Sequence, residues 1–263
     1  MLTPIRVLFI GDIVGEPGRE ALRAYLPDIV ASHDVHFVIA NCENAAAGRG
    51  VTPKITRFLL GCGVDVLTSG NHIWDRPEII PFIDDEPKLI RPANFPSSLP
   101  GRGMGIYETA TGVKVAVMNL CGRLFMDSYD NPFEYASDMV REALSETPVI
   151  ILDFHAEATS EKQAMGWFLD EKVSAVLGTH THVQTADERV LPGGTAYITD
   201  VGMTGSADSI IGMDRDKALK RFLTMLPQRL EPAKENVALY AVILEIDLSN
   251  GRALGISRVR VGE

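Results

Sequence analysis

Several apolar runs in this chain show neither the strict alternation of a half-exposed strand nor the three-to-four spacing of an amphipathic helix. Val7-Leu8-Phe9-Ile10, Phe37-Val38-Ile39-Ala40, Val64 to Gly70, Val149 to Phe154 and Ala175 to Thr179 are short and nearly continuous. Such runs suit strands that are covered on both faces, as in parallel sheets. Polar, helix-compatible stretches separate the first of them. Glu16-Pro17-Gly18-Arg19-Glu20 opens an amphipathic stretch to about Ser32, Thr52 before Pro53 reads as a capped second start, and a third helix is expected from about Asp75, ahead of Pro77. This βαβα order predicts parallel pairing of the early strands.

Further along, four prolines and three glycines between Asp84 and Gly105 predict a long irregular rim loop. A strand over Gly112–Leu120, paired with Met104–Thr109 as a hairpin, follows it. Helices are expected from Pro132 to Ser145, from Ser160 to Lys172 and around Lys217–Leu226. Strands are expected at Ala196–Thr199, Ala238–Ile246 and Ala253–Val261, the last two joined through Asn250-Gly251, a strong hairpin turn. The reading is a mixed system, parallel βα units followed by an antiparallel ribbon, organised as a single domain over 1–263.

Composition changes this picture little. The 263 residues are 46% hydrophobic and 23% charged, ordinary for a globular chain. Lysine plus arginine number 25 against 35 aspartates plus glutamates, a net charge of −10, which argues against stable binding of a long nucleic acid. Three unpaired-looking cysteines, Cys42, Cys62 and Cys121, suit a reducing compartment. The N-terminal stretch lacks signal-peptide character, and no apolar run approaches the roughly 18–20 residues that span a bilayer. A cytoplasmic protein without membrane partners is expected, and exposed faces leave room for a homo-oligomer.

The chemistry lies where the apolar runs stop. Open α/β sheets bind ligands beyond the carboxyl ends of their strands. Here the runs stop at Asp12, at Glu43-Asn44, at Asn71-His72, at His155 and at His180-Thr181-His182. Side chains two apart on an extended segment share a face, so His180 and His182 can approach one or two adjacent metals. Glu43 can bridge two cations, Asn44 and Asn71 can offer neutral carbonyl oxygens, and a set of imidazole, carboxylate and amide without thiolate suits iron, manganese or zinc. His72, beside such ions, can donate a proton to a leaving oxygen. Asp200 is a candidate for orienting a ligand histidine, Arg49 a candidate phosphate contact, and Gly122-Arg123-Leu124-Phe125 reads as a plain loop that could line a pocket.

Asp12, Asn41-Cys42-Glu43-Asn44, Gly70-Asn71-His72, His155 and Gly178-Thr179-His180-Thr181-His182 occur in the order seen in calcineurin-like metallophosphoesterases, which the chain resembles. Two elements depart from the general pattern. Val14 stands where D-x-H would place a histidine, and Glu43-Asn44 stands where G-D-x-x-D is usual. Both departures resemble the YmdB-like branch, and the likeness continues through Asp200-Val201-Gly202-Met203-Thr204-Gly205. It implies an α/β fold, a two-sheet β-sandwich flanked by helices, with a dinuclear centre at the sheet edges. One metal would take Asp12, Glu43, Asn44 and His182, and the other Glu43, Asn71, His155 and His180. It also implies two divalent or trivalent transition-metal ions, iron first, with manganese or zinc as alternatives. The activity implied is hydrolysis of small phosphodiesters such as 2',3'- or 3',5'-cyclic nucleotides, with a metal-bridging hydroxide as nucleophile and His72 as general acid. The rival readings are a phosphomonoesterase and a regulatory protein whose dinuclear site serves signalling.

Overall fold

The computed structural model describes residues 4–262. In chain order its elements are β1 (Ile5–Ile10), β2 (Asp12–Ile13), α1 (Gly15–His33), β3 (Phe37–Asn41), α2 (Pro53–Gly61), β4 (Val66–Thr68), β5 (Met104–Glu108), β6 (Lys114–Cys121), α3 (Pro132–Leu144), β7 (Ile150–His155), α4 (Thr159–Leu169), β8 (Ala175–Thr179), β9 (Arg189–Val190), β10 (Ala196–Ile198), β11 (Met203–Ser206), α5 (Arg215–Thr224), β12 (Val237–Ile246) and β13 (Ala253–Val261). Two mixed sheets result. One runs β2-β11-β12-β1-β3-β4 with β13 added on β12, and the other runs β5-β6-β7-β8-β10-β9.

As the βα alternation predicts, β1, β3 and β4 pair in parallel, and so do β6, β7, β8 and β10. The β5–β6 hairpin and the β12–β13 ribbon are antiparallel. At Gly11 the first strand leaves its ladder with β12, and β11 inserts there, with Gly205 opposite Ala238 on one side and Met203 opposite Asp12 on the other. A Cβ on Gly11 would lie 2.0 Å from the Gly202 carbonyl oxygen, so only glycine allows this crossing.

Both faces of the inner strands of each sheet are apolar because both are covered. Successive side chains alternate faces. Leu8, Ile10, Val38 and Ala40 pack with Leu22, Leu26 and Leu59 of the first two helices. Val7, Phe9, Phe37 and Ile39 face inward and meet Val117, Ile151, Leu177 and Ile198 of the second sheet. Met118, Leu120, Leu152 and Phe154 face outward onto Ala136, Val140, Met165 and Leu169 of α3 and α4. The layers are therefore helix, sheet, sheet, helix, the flanked sandwich that the resemblance implied.

Local signals set the helix starts. The Thr52 side chain accepts from the Ile55 amide with Pro53 in the first turn, as expected of a capped start. The third helix expected from Asp75 does not form. Two 3-10 turns, Ile73–Asp75 and Pro77–Ile79, stand there instead. Pro81 follows Pro77 by four residues, so it lacks the amide that would continue an α-helix, and in such a helix its ring would crowd the Pro77 carbonyl. Among the described residues no helix is long and apolar enough to cross a membrane.

Candidate metal centre

The inward face of the sandwich turns from apolar to polar at one level. Along five strands the inward register steps from Ile39 to Asn41, Val66 to Thr68, Val117 to Asn119, Ile151 to Asp153 and Leu177 to Thr179. Asp153 is the hub of this layer. Its Oδ2 accepts from Asn41 Nδ2 at 2.9 Å and Thr68 Oγ1 at 2.5 Å, and its Oδ1 accepts from Thr179 Oγ1 at 2.7 Å. Burial raises the Asp153 carboxyl above the usual range, against the pull of His155 and these three donors. The layer ties the two sheets together directly beneath the residues at which the apolar runs stop.

One step further out the predicted donors converge. His155 ends β7, fully buried. Its Nε2 lies 3.1 Å from Glu43 Oε1, 3.1 Å from Asn71 Oδ1 and 3.0 Å from His180 Nδ1. A second group stands beside it. His182 Nε2 is 3.3 Å from Asn44 Oδ1 and 3.9 Å from Asp12 Oδ1, and that same Asp12 oxygen is 3.9 Å from His155 Nδ1. The donors thus form two adjoining groups, with Glu43 seated in the His155 group. Its other oxygen accepts from the His72 amide at 3.0 Å.

Three features of these residues fit a cation. Asp12 Oδ1 is buried with no hydrogen-bond partner, a costly state for a carboxylate oxygen that no ion accompanies. Around His155 Nε2 the neighbours are lone-pair atoms, so too few protons are available to satisfy the contacts. Gly70 leaves the space open, since a Cβ there would stand 2.3 Å from both Glu43 Oε2 and the His155 ring. Ligand atoms of Glu43, His155 and His180 all lie within 4.8 Å of one another, and this is the one such group of three or more His, Cys, Asp or Glu among the described residues.

The electrostatics show the same demand for positive charge. Burial pushes the Asp12 carboxyl up to about 6, against the attraction of His182 and His155. Burial also opposes charge on Glu43, yet His155 and His72 outweigh it and hold the carboxyl at about 2. Burial disfavours an imidazolium at His155, but Glu43, Asp12 and Asp153 lift it to about 9. Burial and the adjoining His155 drive His180 down to about 3, leaving a neutral ring with its lone pair available. Glu43, Asp12 and Asp153 thus favour positive charge at His155, the charge that a metal ion at Nε2 would supply.

Short-range geometry aims each donor. Asn41 Oδ1 accepts from the Glu43 amide at 3.1 Å, turning the chain after β3, and Asn44 spends its Nδ2 on the Gly48 carbonyl at 3.1 Å, which leaves Oδ1 for the centre. The extended His180–His182 segment expected from the sequence is not found. Both residues have positive φ, 93° and 64°, so the two rings diverge, His180 toward His155 and His182 toward Asn44. Buried Asp200 holds the bend between them by accepting from the Thr181 amide at 3.1 Å and hydroxyl at 2.6 Å, while buried Lys162 pairs with Asp200 at 2.8 Å. Asp200 therefore positions the turn and contacts neither ring. His72 Nδ1 lies 3.1 Å from Asp75 Oδ2, its Nε2 is 3.5 Å from Asn71 Nδ2, and Arg49 Nε is 3.9 Å from the same Asp75 carboxylate oxygen.

Sequence reasoning misses Asp153 and Thr179, although an aspartate two residues before His155 in an apolar strand is a readable signal. Their role follows from hydrogen-bond direction. Thr179 has one proton and gives it to Asp153, so its oxygen accepts from His155 Nδ1–H at 2.8 Å. That fixes the tautomer whose Nε2 carries the lone pair. Thr179→Val, similar in shape but without the hydroxyl, should weaken metal binding by about 10–100-fold, the usual cost of losing such a partner. Metal titration of the apo-protein checks this, and Thr179→Ser should restore most of the affinity.

Comparison with known proteins identifies relatives over nearly the whole chain. The sequence pattern of the family described as YmdB-like protein matches residues 8–259. A Bacillus subtilis (strain 168) protein named 2',3'-cyclic-nucleotide 2'-phosphodiesterase is 52% identical over 259 residues, covering 98% of each chain. A crystal structure of a hypothetical protein from Thermus thermophilus superposes with a TM-score of 0.91 at 42% identity, covering 98% of this chain and 100% of that one. A second, described as a novel phosphatase from Mycoplasma pneumoniae, gives 0.93 at 32% identity over 100% and 95% of the two chains.

Proposed function

The chain belongs to the YmdB-like family, and from that membership and the convergent donor set we propose that it is a phosphoester hydrolase acting as a metal-dependent phosphodiesterase on 2',3'-cyclic nucleotides. The observation that carries the reading is the cluster of lone-pair atoms around His155 Nε2 beside the unpartnered Asp12 Oδ1, in a chain 52% identical to a protein named for that activity.

Asp12, Asn44 and His182 would hold one ion and Asn71, His155 and His180 a second, with Glu43 shared between them. Iron is the first choice for both, with manganese or zinc as alternatives, since imidazole, carboxylate and amide oxygens suit these ions. When bound, a pair of such ions supplies Lewis acidity toward phosphoryl oxygens and makes water a nucleophile near neutral pH.

The chain's own residues do the rest. The amide oxygens of Asn44 and Asn71 contribute no negative charge, which keeps the centre attractive to a phosphodiester anion. Asp153 and Thr179 hold the His155 ring in register. His72 presents Nε2 on the Asn71 side while Asp75 holds Nδ1, and the ring passes a proton to the departing ribose oxygen.

Elemental analysis of the purified protein, run beside a substrate panel under one metal, tests the reading. About two metal equivalents and preferential turnover of 2',3'-cAMP over 3',5'-cAMP and over p-nitrophenyl phosphate are expected. Turnover confined to the monoester would replace the reading with a phosphomonoesterase.

A further inference from the structure

The loop after β6 carries an aromatic ring that the fold does not use. Phe125 is 89% exposed, and its φ of 64° is one that bulky residues adopt only at a cost. The loop beneath it is firmly built. Buried Glu161 accepts from the Arg123 amide at 3.0 Å and the Leu124 amide at 3.2 Å. Buried Asn94 donates to the carbonyls of Cys121 at 2.8 Å and Asp130 at 3.0 Å, closing the loop at its base. Met126, on the other side of Phe125, packs back against the core. A strained, water-exposed phenyl ring on so well-anchored a loop calls for an occupant.

Position identifies the occupant. Cys121 pairs with His155 across β6 and β7, and the Gly122 amide donates to the His155 carbonyl at 2.9 Å. The loop therefore rises from the rim of the candidate metal centre, at the strand ends where a substrate must enter. We propose that Phe125 is the platform on which the nucleobase of a cyclic nucleotide stacks while its phosphate lies at the centre. This rests on the nucleotide reading above and adds the residue that recognises the base. Every base has a π-face, so a lone phenyl ring of this kind accepts all four bases with only modest preference.

The test compares 2',3'-cAMP with glycerol 1,2-cyclic phosphate, a cyclic diester without a base, on the wild type, Phe125→Ala and Phe125→Trp. Phe125→Ala should raise KM for 2',3'-cAMP about tenfold, the size of one base–aromatic stack, with kcat retained. The glycerol diester should be turned over unchanged, and Phe125→Trp should restore the nucleotide KM. Equal effects on both substrates, or no effect on either, overturn the proposal. So does a Phe125→Ala chain whose mass in solution changes while both KM values stay put, since that assigns the ring to a contact between copies. A wild type that hydrolyses the glycerol diester but no cyclic nucleotide removes the substrate reading and the platform together. A wild type with equal KM for the two diesters removes the platform alone.

Discussion

Asp12→Ala should abolish metal binding at the Asn44–His182 side of the centre and cut diester hydrolysis by roughly a thousandfold, yet barely disturb the apo-protein. The two halves of this expectation come from one observation. Asp12 sits at 0% exposure in β2 with Oδ1 unpartnered, so without an ion the fold carries a desolvated carboxylate oxygen. Removing it relieves that penalty and brings two losses, the acceptor for the His180 amide at 3.2 Å and the attraction to the His155 and His182 rings. Orphaning an amide costs about 1–3 kcal/mol, and relieving the desolvated carboxylate, whose penalty exceeds that of a neutral group, offsets this and the lost attraction to the imidazoles. The apo-variant should therefore unfold within a few degrees of the apo-wild type. With metal the two should part. A ligand that binds only the native state stabilises it in proportion to the logarithm of its concentration over Kd, so the wild type should gain melting temperature on metal addition and the variant much less. The rate estimate follows from several kcal/mol of charge stabilisation at 1.36 kcal/mol per tenfold. An Asp12→Ala protein that takes up two equivalents with wild-type affinity would contradict the assignment of this oxygen as a ligand.

What the sequence made legible was local. Near-continuous apolar runs marked β1, β3, β7 and β8, because covering both faces removes the polar alternation. Thr52-Pro53 marked a helix start because cap chemistry acts over three residues. Each predicted donor stands at the end of a strand or just beyond it, because parallel strands carry their following loops to the same edge. Other features depend on distant partners. The strands β2, β9 and β11 have two to four residues, too few to show a period; β2 and β11 exist because β1 leaves β12 at Gly11 and an edge opens, and β9 because it adds to the edge strand β10 of the other sheet. The positive φ of His180 and His182 is imposed by Asp200 and Lys162 gripping Thr181, which no local propensity reports. Asp153 has a local signal, a charge in an apolar strand, but its meaning needs Asn41, Thr68 and Thr179 from three other strands. Pro81 is the clue to the missing third helix, and it lies four residues beyond Pro77, itself a helix-start signal that points the other way.

His72 offers a prediction of comparable size with a different signature. Its backbone amide, not its ring, contacts Glu43, and Asp75 holds the ring from the far side. His72→Asn should therefore keep the metal content and lose only the proton donor. A positioned general acid contributes about 10²–10⁴-fold where the leaving group needs a proton. The departing oxygen of a 2',3'-cyclic nucleotide is a ribose alkoxide, strongly basic, so kcat should fall by that factor. For bis(p-nitrophenyl) phosphate the leaving group is a weakly basic phenolate that departs unprotonated, and the loss should stay below about tenfold because this contribution is not engaged. The ratio of the two losses is the measurement, since it cancels any general damage to the centre. Equal losses on both substrates would mean that His72 orients the phosphoryl group or shapes the loop and does not deliver the proton. Asp75→Asn gives the gradation, since the ring keeps its place in the chain and loses only the carboxylate that holds Nδ1. Its alkoxide-specific loss should therefore be smaller than that of His72→Asn and should again leave the phenolate diester nearly untouched.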